Sequence, residues 1–413
     1  MTWPTVALSD VAEVRLGRQR APKNHTGDSM RPYLRAANVT WAGLDLSDVK
    51  TMNFTDAEMT TYRMEPGDIV LSEASGSPGE VGKPALWSGE LDECAFQNTL
   101  IRVRARSHDP KFLMHYFRYL ALDGQFVEHS RGVGIHHIGR ARLASWPTPL
   151  PPIEEQLRLV DLLEDHLSRL DAADAYLDAS RRRLIALERS ALARCRDGDL
   201  RPLAEVTAIQ GGIQKQQKRA PKANAFPFLR VANVTAGGLD LADVHMVELF
   251  DGELDRLRLR AGDLLVVEGN GSASQIGRAA LWDGSIDDCV HQNHLIRVRP
   301  LDGLLPEYLE AVWNSPANRA ILTEVSSSSS GLHTLSVSKL KQISIPMPTI
   351  ERQQELVAAV TKVREARGRL ANAISAATAR RNALRRSLLA AAFSGRLTGA
   401  SSGLSDVEDM ISA

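Results

Sequence analysis

Residues 32–49, PYLRAANVTWAGLDLSDV, return almost unchanged at residues 227–244 as PFLRVANVTAGGLDLADV. Thirteen of these 18 positions are identical at an offset of 195 residues, and the same offset aligns residues 66–87 with residues 261–282. Solenoid repeats have periods of about 20–50 residues, so a period this long indicates two copies of a whole domain. We therefore predict that the 413-residue chain is a tandem duplication.

Each copy begins with a segment of mixed character, residues 1–148 in the first and residues 198–345 in the second. Aliphatic runs such as GDIVLS (67–72) and GDLLVVE (262–268) are typical of strands, and glycines separate them. Short helical stretches such as DPKFLMHYFRYLAL (109–122) lie between the strands. We predict one compact α/β or α+β head for each copy.

Each head is followed by a segment that we predict to be a long helix, residues 149–197 and residues 346–397. Residues 153–197 contain neither Gly nor Pro, and their apolar residues recur at spacings of three and four. That spacing is typical of an amphipathic helix. The predicted seam consists of Ile153, Leu157, Val160, Leu163, Leu167 and Leu170 in the first helix, and Ile350, Val357, Val360, Val363, Leu370 and Ile374 in the second.

The length of these helices predicts how they pair. A helix of 45 residues is about 68 Å long, whereas a domain of ~150 residues has a radius of gyration of ~15 Å and usually keeps its termini close. Parallel helices would separate the two ends of the second head by a whole helix length, so we predict an antiparallel two-helix coiled coil. We expect it to separate the two heads with pseudo-twofold symmetry, and we expect a flexible tail at residues 398–413.

Composition excludes several classes of protein. The 50 Lys and Arg balance 50 Asp and Glu, so the chain lacks the bulk positive charge of a histone-like DNA binder, and DNA binding would depend on local patches. No apolar run reaches the ~20 residues of a membrane span, and the N-terminus lacks the features of a signal peptide. Three cysteines cannot build a disulfide framework, and we predict that Cys94 and Cys289, which align, are buried thiols. We expect a cytoplasmic protein that binds no membrane.

Basic segments recur early in both heads, as RLGRQRAPK (15–23) and GGIQKQQKRAPK (211–222). Lys and Arg bind DNA phosphates and release counterions there, although a solvated loop is an equally good interpretation of each segment. The candidate phosphate contacts are Arg18, Arg20 and Lys23 in the first head, and Lys215, Lys218, Arg219 and Lys222 in the second.

Two further pairs of loops carry candidate DNA contacts. The first pair, ASGSPGEVG (74–82) and GNGSASQIG (269–277), has the small residues that let a loop approach a backbone, but a tight turn beside a strand is the alternative. The second pair lies at residues 131–138 and 326–334, and its polar side chains could serve a base edge or a phosphate. A loop histidine bonded within the protein is the alternative there. The candidates are Ser75, Ser77, Arg131, His136, Asn270, Ser272 and His333.

The sequence contains no clear motif for catalysis or metal binding. Asp68 and Glu73 align with Asp263 and Glu268 around a strand, but no Glu-x-Lys follows at the spacing of a nuclease, so structural roles are favoured. We predict no metal site. The sequence has no His-Glu-x-x-His or Asn-Pro-Pro-Tyr motif. We therefore predict a non-catalytic reader that binds no cofactor itself.

Four features together suggest a family: the head–helix–head–helix duplication, PLPPIEEQ (149–156) with PMPTIERQ (346–353), AAFSGRLT (391–398), and the opening WPTVALSDVAEVRLG (3–17). In this combination the chain resembles the specificity subunits of Type I restriction-modification systems, over essentially its whole length. The resemblance implies that each head is a target-recognition domain reading one half of a split, asymmetric sequence in double-stranded DNA. It also implies that the helices set the spacer and dock two methyltransferase subunits.

The same resemblance assigns the chemistry to partners. A methyltransferase partner would bind S-adenosylmethionine, and a restriction subunit that can join the complex would use ATP and Mg²⁺. Two alternatives remain open from the sequence. One is a specificity module of a modification-only or phage-defence complex, which neighbouring genes would distinguish. The other is a scaffold whose heads bind proteins, which would show no steep salt dependence of DNA binding.

Overall fold

The structure is a computed structural model that describes residues 3–128, 136–235, 238–269, 276–326 and 334–397. The chain divides into two compact units, one formed by Met1–Leu177 with Ser375–Ala413 and the other by Asp178–Ile374. Within the described residues, no helix is both long enough and apolar enough to cross a membrane.

The head of the first unit is built from short strands and helices. Its strands are β1 (Thr5–Ala7), β2 (Ala12–Leu16), β3 (Met30–Leu34), β4 (Val39–Thr40), β5 (Gly43–Leu44), β6 (Lys50–Asn53), β7 (Ile69–Ser72), β8 (Ala74–Ser75), β9 (Pro84–Leu86), β10 (Ala95–Phe96), β11 (Leu100–Ala105), β12 (His136–His137) and β13 (Pro147–Pro149). Its helices are α1 (Leu8–Val11), α2 (Asp56–Tyr62), α3 (Pro110–Leu122), α4 (Gln125–Glu128) and α5 (Arg140–Ala144). The long helix α6 (Ile153–Leu192) follows.

The head of the second unit has a matching set of elements. Its strands are β14 (Asp199–Pro202), β15 (Thr207–Gly211), β16 (Ala225–Leu229), β17 (Val234–Thr235), β18 (Gly238–Leu239), β19 (His245–Glu248), β20 (Leu264–Val267), β21 (Ala279–Leu281), β22 (Val290–His291), β23 (Leu295–Pro300) and β24 (Ser344–Met347). Its helices are α7 (Leu203–Val206), α8 (Glu253–Leu257), α9 (Pro306–Trp313), α10 (Pro316–Ser326) and α11 (Val337–Gln342). The second long helix, α12 (Ile350–Phe393), follows.

The main sheet has the same strand order in both heads. It is antiparallel, with order β2-β11-β7-β9 in the first head and β15-β23-β20-β21 in the second. A smaller sheet of three strands accompanies it, with order β10-β3-β6 and β22-β16-β19, in which one neighbouring pair is parallel. The duplicated sequence therefore folds into two heads of the same topology.

Burial on both faces explains why the sequence of strand β7 is an almost continuous apolar run. All four of its residues are buried, and side chains alternate between the two faces of a strand. Ile69 and Leu71 join the core that contains α3, whereas Val70 joins a second core around Trp87. The sheet thus separates two hydrophobic cores in the first head, and β20 does the same in the second head.

Both long helices contribute to the core of each head. In the first unit, Leu163 near the start of α6 and Leu389 near the end of α12 are buried in the same core. In the second unit, Leu192 at the end of α6 and Leu356 near the start of α12 are buried together. In each unit, the beginning of one long helix therefore meets the end of the other.

Ion pairs fix the direction of the helices within each unit. In the first unit, Asp171 pairs with Arg385 and Asp174 with Arg381, so residue numbers rise on α6 as they fall on α12. In the second unit, Glu188 pairs with Arg364 at 3.2 Å. The antiparallel direction expected from the helix length is the one observed within each unit, and in these pairs α6 supplies the acids and α12 the arginines.

Part of the predicted seam is wrong. Ile153, Leu157 and Leu370 are each about half exposed. The buried stripe at the start of α6 runs through Gln156, Val160, Leu163 and Leu167, and at ~100° per residue Leu157 lies on its flank. The head as well as the second helix packs on α6, so the head decides which face is buried.

The remaining seam residues are placed inside or at the edge of the packed faces. Val160, Leu163, Leu167, Val360 and Ile374 are buried, and Leu170, Ile350, Val357 and Val363 are half-buried. The helices also begin later than the predicted segments, because Pro149 and Met347 belong to strands β13 and β24. These strands pair with β1 and β14, the first strands of the two heads.

Candidate DNA-binding surface

Arg18, a candidate phosphate contact, is engaged within the first head. Its guanidinium forms an ion pair with Glu58 at 2.6 Å, donates a hydrogen bond to the carbonyl of Asn53, and lies 4.8 Å from the centre of the Phe54 ring. Its side chain is largely buried. The positive charge thus joins the basic loop to α2, and a phosphate contact by Arg18 stays a prediction.

Arg219 has the same structural use in the second head. It forms two hydrogen bonds with the Glu253 carboxylate, at 2.7 and 2.8 Å, and lies 4.7 Å from the centre of the Phe250 ring. This pairing lowers the pKa of Glu253 to about 2. This bidentate pair is mostly buried and neutralises the guanidinium, and a phosphate contact by Arg219 stays a prediction.

The other basic candidates remain available at the surface. Arg20, Lys23, Lys215, Lys218 and Lys222 are all exposed. Arg20 lies 3.0 Å from the His25 ring, and the Lys218 ammonium lies 5.8 Å from the centre of the Phe250 ring. The basic loop of each head therefore keeps cations that can reach a phosphate, while one arginine in each loop anchors it.

The Gly/Ser loop and the histidine loop meet in the first head. Strand β8 pairs with β12, which places Ser75 opposite His136. The Ser75 hydroxyl accepts a hydrogen bond at 3.1 Å from the backbone N–H of Ser77, which is exposed. These three candidates therefore lie on one edge. The candidates Arg131, Asn270, Ser272 and His333 lie outside the described residues.

The aligned aspartates have structural roles, as favoured from the sequence. Asp263 is buried and accepts two hydrogen bonds from Arg299, at 2.6 and 2.7 Å. Asp68 in the first head is bound in the same way by Arg104, at 2.7 and 2.8 Å. A buried carboxylate requires such a partner, because an unpaired buried charge is costly.

The aligned cysteines are buried thiols, as predicted. Burial raises the pKa of both Cys94 and Cys289 to about 12, so neither is a reactive thiolate near neutral pH. Among the described residues, no group of three or more His, Cys, Asp or Glu side chains could hold a metal ion.

Two glutamate–histidine pairs were missed by the sequence reasoning. The Nδ1 atom of His137 lies 3.3 Å from a carboxylate oxygen of Glu73, and the Nδ1 atom of His294 lies 3.2 Å from one of Glu268. Both glutamates had been interpreted as structural residues at strand ends. The available signal was the repeated Gln-Asn in FQNT (96–99) and HQNH (291–294), which lies beside both glutamates.

The Gln-Asn turn is held in the same way in both heads. The backbone N–H of Asn98 donates to the carbonyl of Arg18 at 3.0 Å, and that of Asn293 donates to the carbonyl of Ile213 at 2.8 Å. The first approach needs Gly17, because a Cβ atom there would lie 2.2 Å from the carbonyl oxygen of Gln97. The basic loop and the Gln-Asn turn therefore form one continuous surface in each head.

Comparison with known proteins shows what the chain is similar to. The family model for the "Type I restriction modification DNA specificity domain" matches residues 1–174. The chain is 27% identical over 422 aligned residues to the Type I restriction enzyme EcoKI specificity subunit of Escherichia coli K12, covering 96% of this chain and 89% of that protein. The resemblance to Type I specificity subunits is confirmed.

Two further comparisons agree with that family. The StySPI specificity subunit of Salmonella potsdam is 25% identical over 418 residues, covering 96% of this chain and 89% of its own length. A solved chain of a type I restriction-modification system, studied for its complex assembly and conformational transition, has a TM-score of 0.73 at 19% identity. That likeness covers 95% of this chain and 97% of the solved one, and it shows that the two chains share a fold.

Proposed function

We propose that this chain is the DNA specificity subunit of a Type I restriction-modification complex and that each head reads one half of a bipartite, asymmetric target. The observation that carries this proposal is the presence of two heads with one topology and different exposed residues. A protein with two related reading units binds two half-sites at a fixed spacing. The similarity to specificity subunits along 96% of the chain supports the same function.

The two long helices are proposed to set the spacing of the half-sites in a pseudo-twofold arrangement of the heads. Their antiparallel pairing within each unit supports this role, because the second head, which follows α6 and precedes α12, then begins and ends at the same end of the helix pair. The helices are also proposed to dock two methyltransferase subunits. Exposed apolar side chains on α6 and α12, namely Ile185, Leu187 and Leu370 in the second unit, are suited to contact with a partner.

The reaction is proposed to belong to partners, so the chain itself is a non-catalytic subunit. S-adenosylmethionine would be bound by the methyltransferase subunits, and ATP with Mg²⁺ by a restriction subunit if the complex includes one. Such a complex would act in the cytoplasm, in defence against phage DNA. The exposed lysines of the basic loops would contribute phosphate contacts, while the partners supply much of the remaining positive charge.

Methylome sequencing tests this proposal. A host that carries the chain with its methyltransferase partner should show methylated adenines in both halves of one split motif. The motif should disappear when the gene for this chain is deleted and the methyltransferase gene is kept. Identical methylomes with and without the chain would contradict the proposal. Affinity of the full chain for DNA should also fall steeply with salt, which a protein-binding scaffold would not show.

A further inference from the structure

A glutamate–histidine pair occupies the same place in both heads, but the histidine comes from a different element in each. In the first head, Glu73 follows β7 and pairs with His137 of strand β12. In the second head, Glu268 follows β20 and pairs with His294, in the turn that precedes β23. Both heads therefore contain a Glu–His pair, but different elements supply its histidine.

Backbone hydrogen bonds show which turn residues correspond. The N–H of Glu73 donates to the carbonyl of Thr99 at 2.9 Å, and the N–H of Glu268 donates to the carbonyl of His294 at 3.0 Å. Thr99 and His294 therefore hold equivalent positions, with threonine in the first head and histidine in the second.

Strand pairing shows which residues correspond on the other side of the glutamate. His137 pairs with Ala74, the residue after Glu73, and Thr334 pairs with Gly269, the residue after Glu268. His137 and Thr334 are therefore equivalent. A histidine and a threonine have exchanged positions between the heads, so the imidazole approaches each glutamate from opposite sides.

The glutamate determines what each histidine can recognise. A carboxylate at Nδ1 holds the proton there, which leaves Nε2 of the neutral ring as a hydrogen-bond acceptor. The side chains of His137 and His294 are 48% and 55% exposed. Among the described residues, neither Nε2 atom has a hydrogen-bond partner. An acceptor presented at the surface matches the amino group that adenine or cytosine shows in the major groove.

The Gln-Asn turn next to each pair adds groups of the same kind. The side chains of Gln97 and Asn98, and of Gln292 and Asn293, are half-buried on backbone that the neighbouring strands hold in place. Side-chain amides bind adenine through one donor and one acceptor. This turn is identical in the two heads, whereas the Glu–His pair beside it is not, so the pair is the part that can distinguish two half-sites.

We propose that the Glu–His pair and its neighbouring Gln-Asn turn form the base-reading site of each head. The ligand of each histidine is a base with an exocyclic amino group in the major groove, and the exchanged histidine makes the two half-sites differ. This inference rests on the proposed function and assigns it to particular side chains.

Selection of DNA from a random library by the full-length chain in complex with its methyltransferase subunits, followed by sequencing, tests the inference. His137→Ala should remove the preference at one position of the first half-site and lower affinity for the selected target roughly tenfold, as the loss of one base contact does. His294→Ala should do the same in the second half-site only. In Thr99→His/His137→Thr, the imidazole moves to the side used in the second head, so the preferred base should change instead of disappearing.

His245→Ala is the matched control, because His245 also lies near a carboxylate, Asp243 at 3.6 Å, but outside this site. Circular dichroism and melting confirm that each variant is folded, and His137→Asn replaces His137→Ala if the latter is not. Selection of the same target at the same strength by the folded histidine variants and the wild type would overturn the inference. Failure of the wild-type complex to select any sequence would instead overturn the proposed function.

Discussion

The side-chain carbonyl of Gln156 accepts a hydrogen bond from the backbone N–H of Asp109 at 2.8 Å, and its amide donates to the carbonyl of Pro151 at 2.9 Å. A buried glutamine near the start of α6 thus binds the residue that caps α3 of the head. Gln353 repeats the contact in the second unit, where it accepts from the N–H of Leu305 at 2.9 Å. The junction of head and helix is therefore a specific polar connection in each unit.

Gln156→Ala is expected to lower the free energy of unfolding by about 1–3 kcal/mol, because it leaves backbone groups at this junction without partners. Urea denaturation of the full chain measures the change. Gln216→Ala, at an exposed site, is the control and should have almost no effect. Equal stability of the two variants would show that the buried glutamine contributes nothing.

Asp263→Ala is expected to lower the free energy of unfolding of the second unit by about 3–5 kcal/mol, because it leaves the Arg299 guanidinium without its buried carboxylate. The measurement is the shift of the urea midpoint of the second unit. Asp302→Ala removes an exposed aspartate from the same head and should leave that midpoint unchanged. A small effect of Asp263→Ala would mean that water replaces the ion pair.

His291 should make the second unit sensitive to acid. Burial lowers its pKa from 6.5 to about 3, so between these values the unfolded chain binds a proton that the folded chain does not. Its contribution to stability is therefore complete above pH 6.5 and is lost progressively as the pH falls towards 3. The equivalent residue of the first head is Phe96, which cannot titrate.

His291→Phe is therefore expected to flatten the pH dependence of stability. When the pH is lowered from 7 to 5, the free energy of unfolding of the variant should fall by about 2 kcal/mol less than that of the wild type. Urea denaturation at the two pH values measures this difference, with His245→Ala as a control for an accessible histidine. Equal stability of the wild-type chain at pH 7 and pH 5 would contradict the lowered pKa of His291.

Lys215, Lys218 and Lys222 are the cations of the second basic loop that remain exposed. Their joint replacement by Ala should weaken binding to all DNA sequences and reduce the slope of log affinity against log salt by about 3, or one for each phosphate contact. Fluorescence anisotropy at several salt concentrations measures the slope. Arg219→Ala should instead destabilise the head with little change in the slope, because Arg219 is bound to Glu253. An unchanged slope in the lysine variant would remove this loop from the interface.

An insertion of seven residues in each long helix tests the proposed role of the helices in spacing. Insertion after Ala179 in α6 lies between Asp174 and Glu188, and insertion after Ala376 in α12 lies between Arg367 and Arg381, so the ion pairs within each unit are kept. Seven residues add about 10 Å of helix, or roughly three base pairs of DNA.

The spacer between the selected half-sites should therefore lengthen by about three base pairs, and the half-sites themselves should stay the same. Insertion in α6 alone is the control, and it should lower stability because it changes the register of the ion pairs. An unchanged spacer in the double insertion would show that something other than the helices sets it.

The duplication was predictable because the sequence repeats at a fixed offset, and the long helices were predictable because their apolar residues recur at helical spacing. The 195-residue offset anticipates the common strand order of the heads. The absence of Gly and Pro from residues 153–197 anticipates α6, and residues 350–394, where Gly368 is the one interruption, anticipate α12. The roles of Arg18 and Arg219 were not predictable, since their partners Glu58 and Glu253 lie 40 and 34 residues further along the chain. Only the fold shows that these two charges are already neutralised.

The Glu–His pairs were hidden for a different reason. His137 lies 64 residues from Glu73 along the chain, and an alignment at the repeat offset places no second histidine opposite it. The chemical pair is retained although neither histidine position is, so comparing the copies position by position misses it. The Gln-Asn turn does survive in such a comparison, and it marks the correct region of each head.

The pairing of β1 with β13, and of β14 with β24, has an evolutionary consequence. Entry and exit of each head are hydrogen-bonded neighbours, so genetic recombination at these two seams can replace everything between them while the joints to α6 and α12 remain intact. Under the proposed function, a lineage would thereby acquire a new recognition sequence in one recombination event with a crossover at each seam, without having to re-evolve its assembly with other subunits.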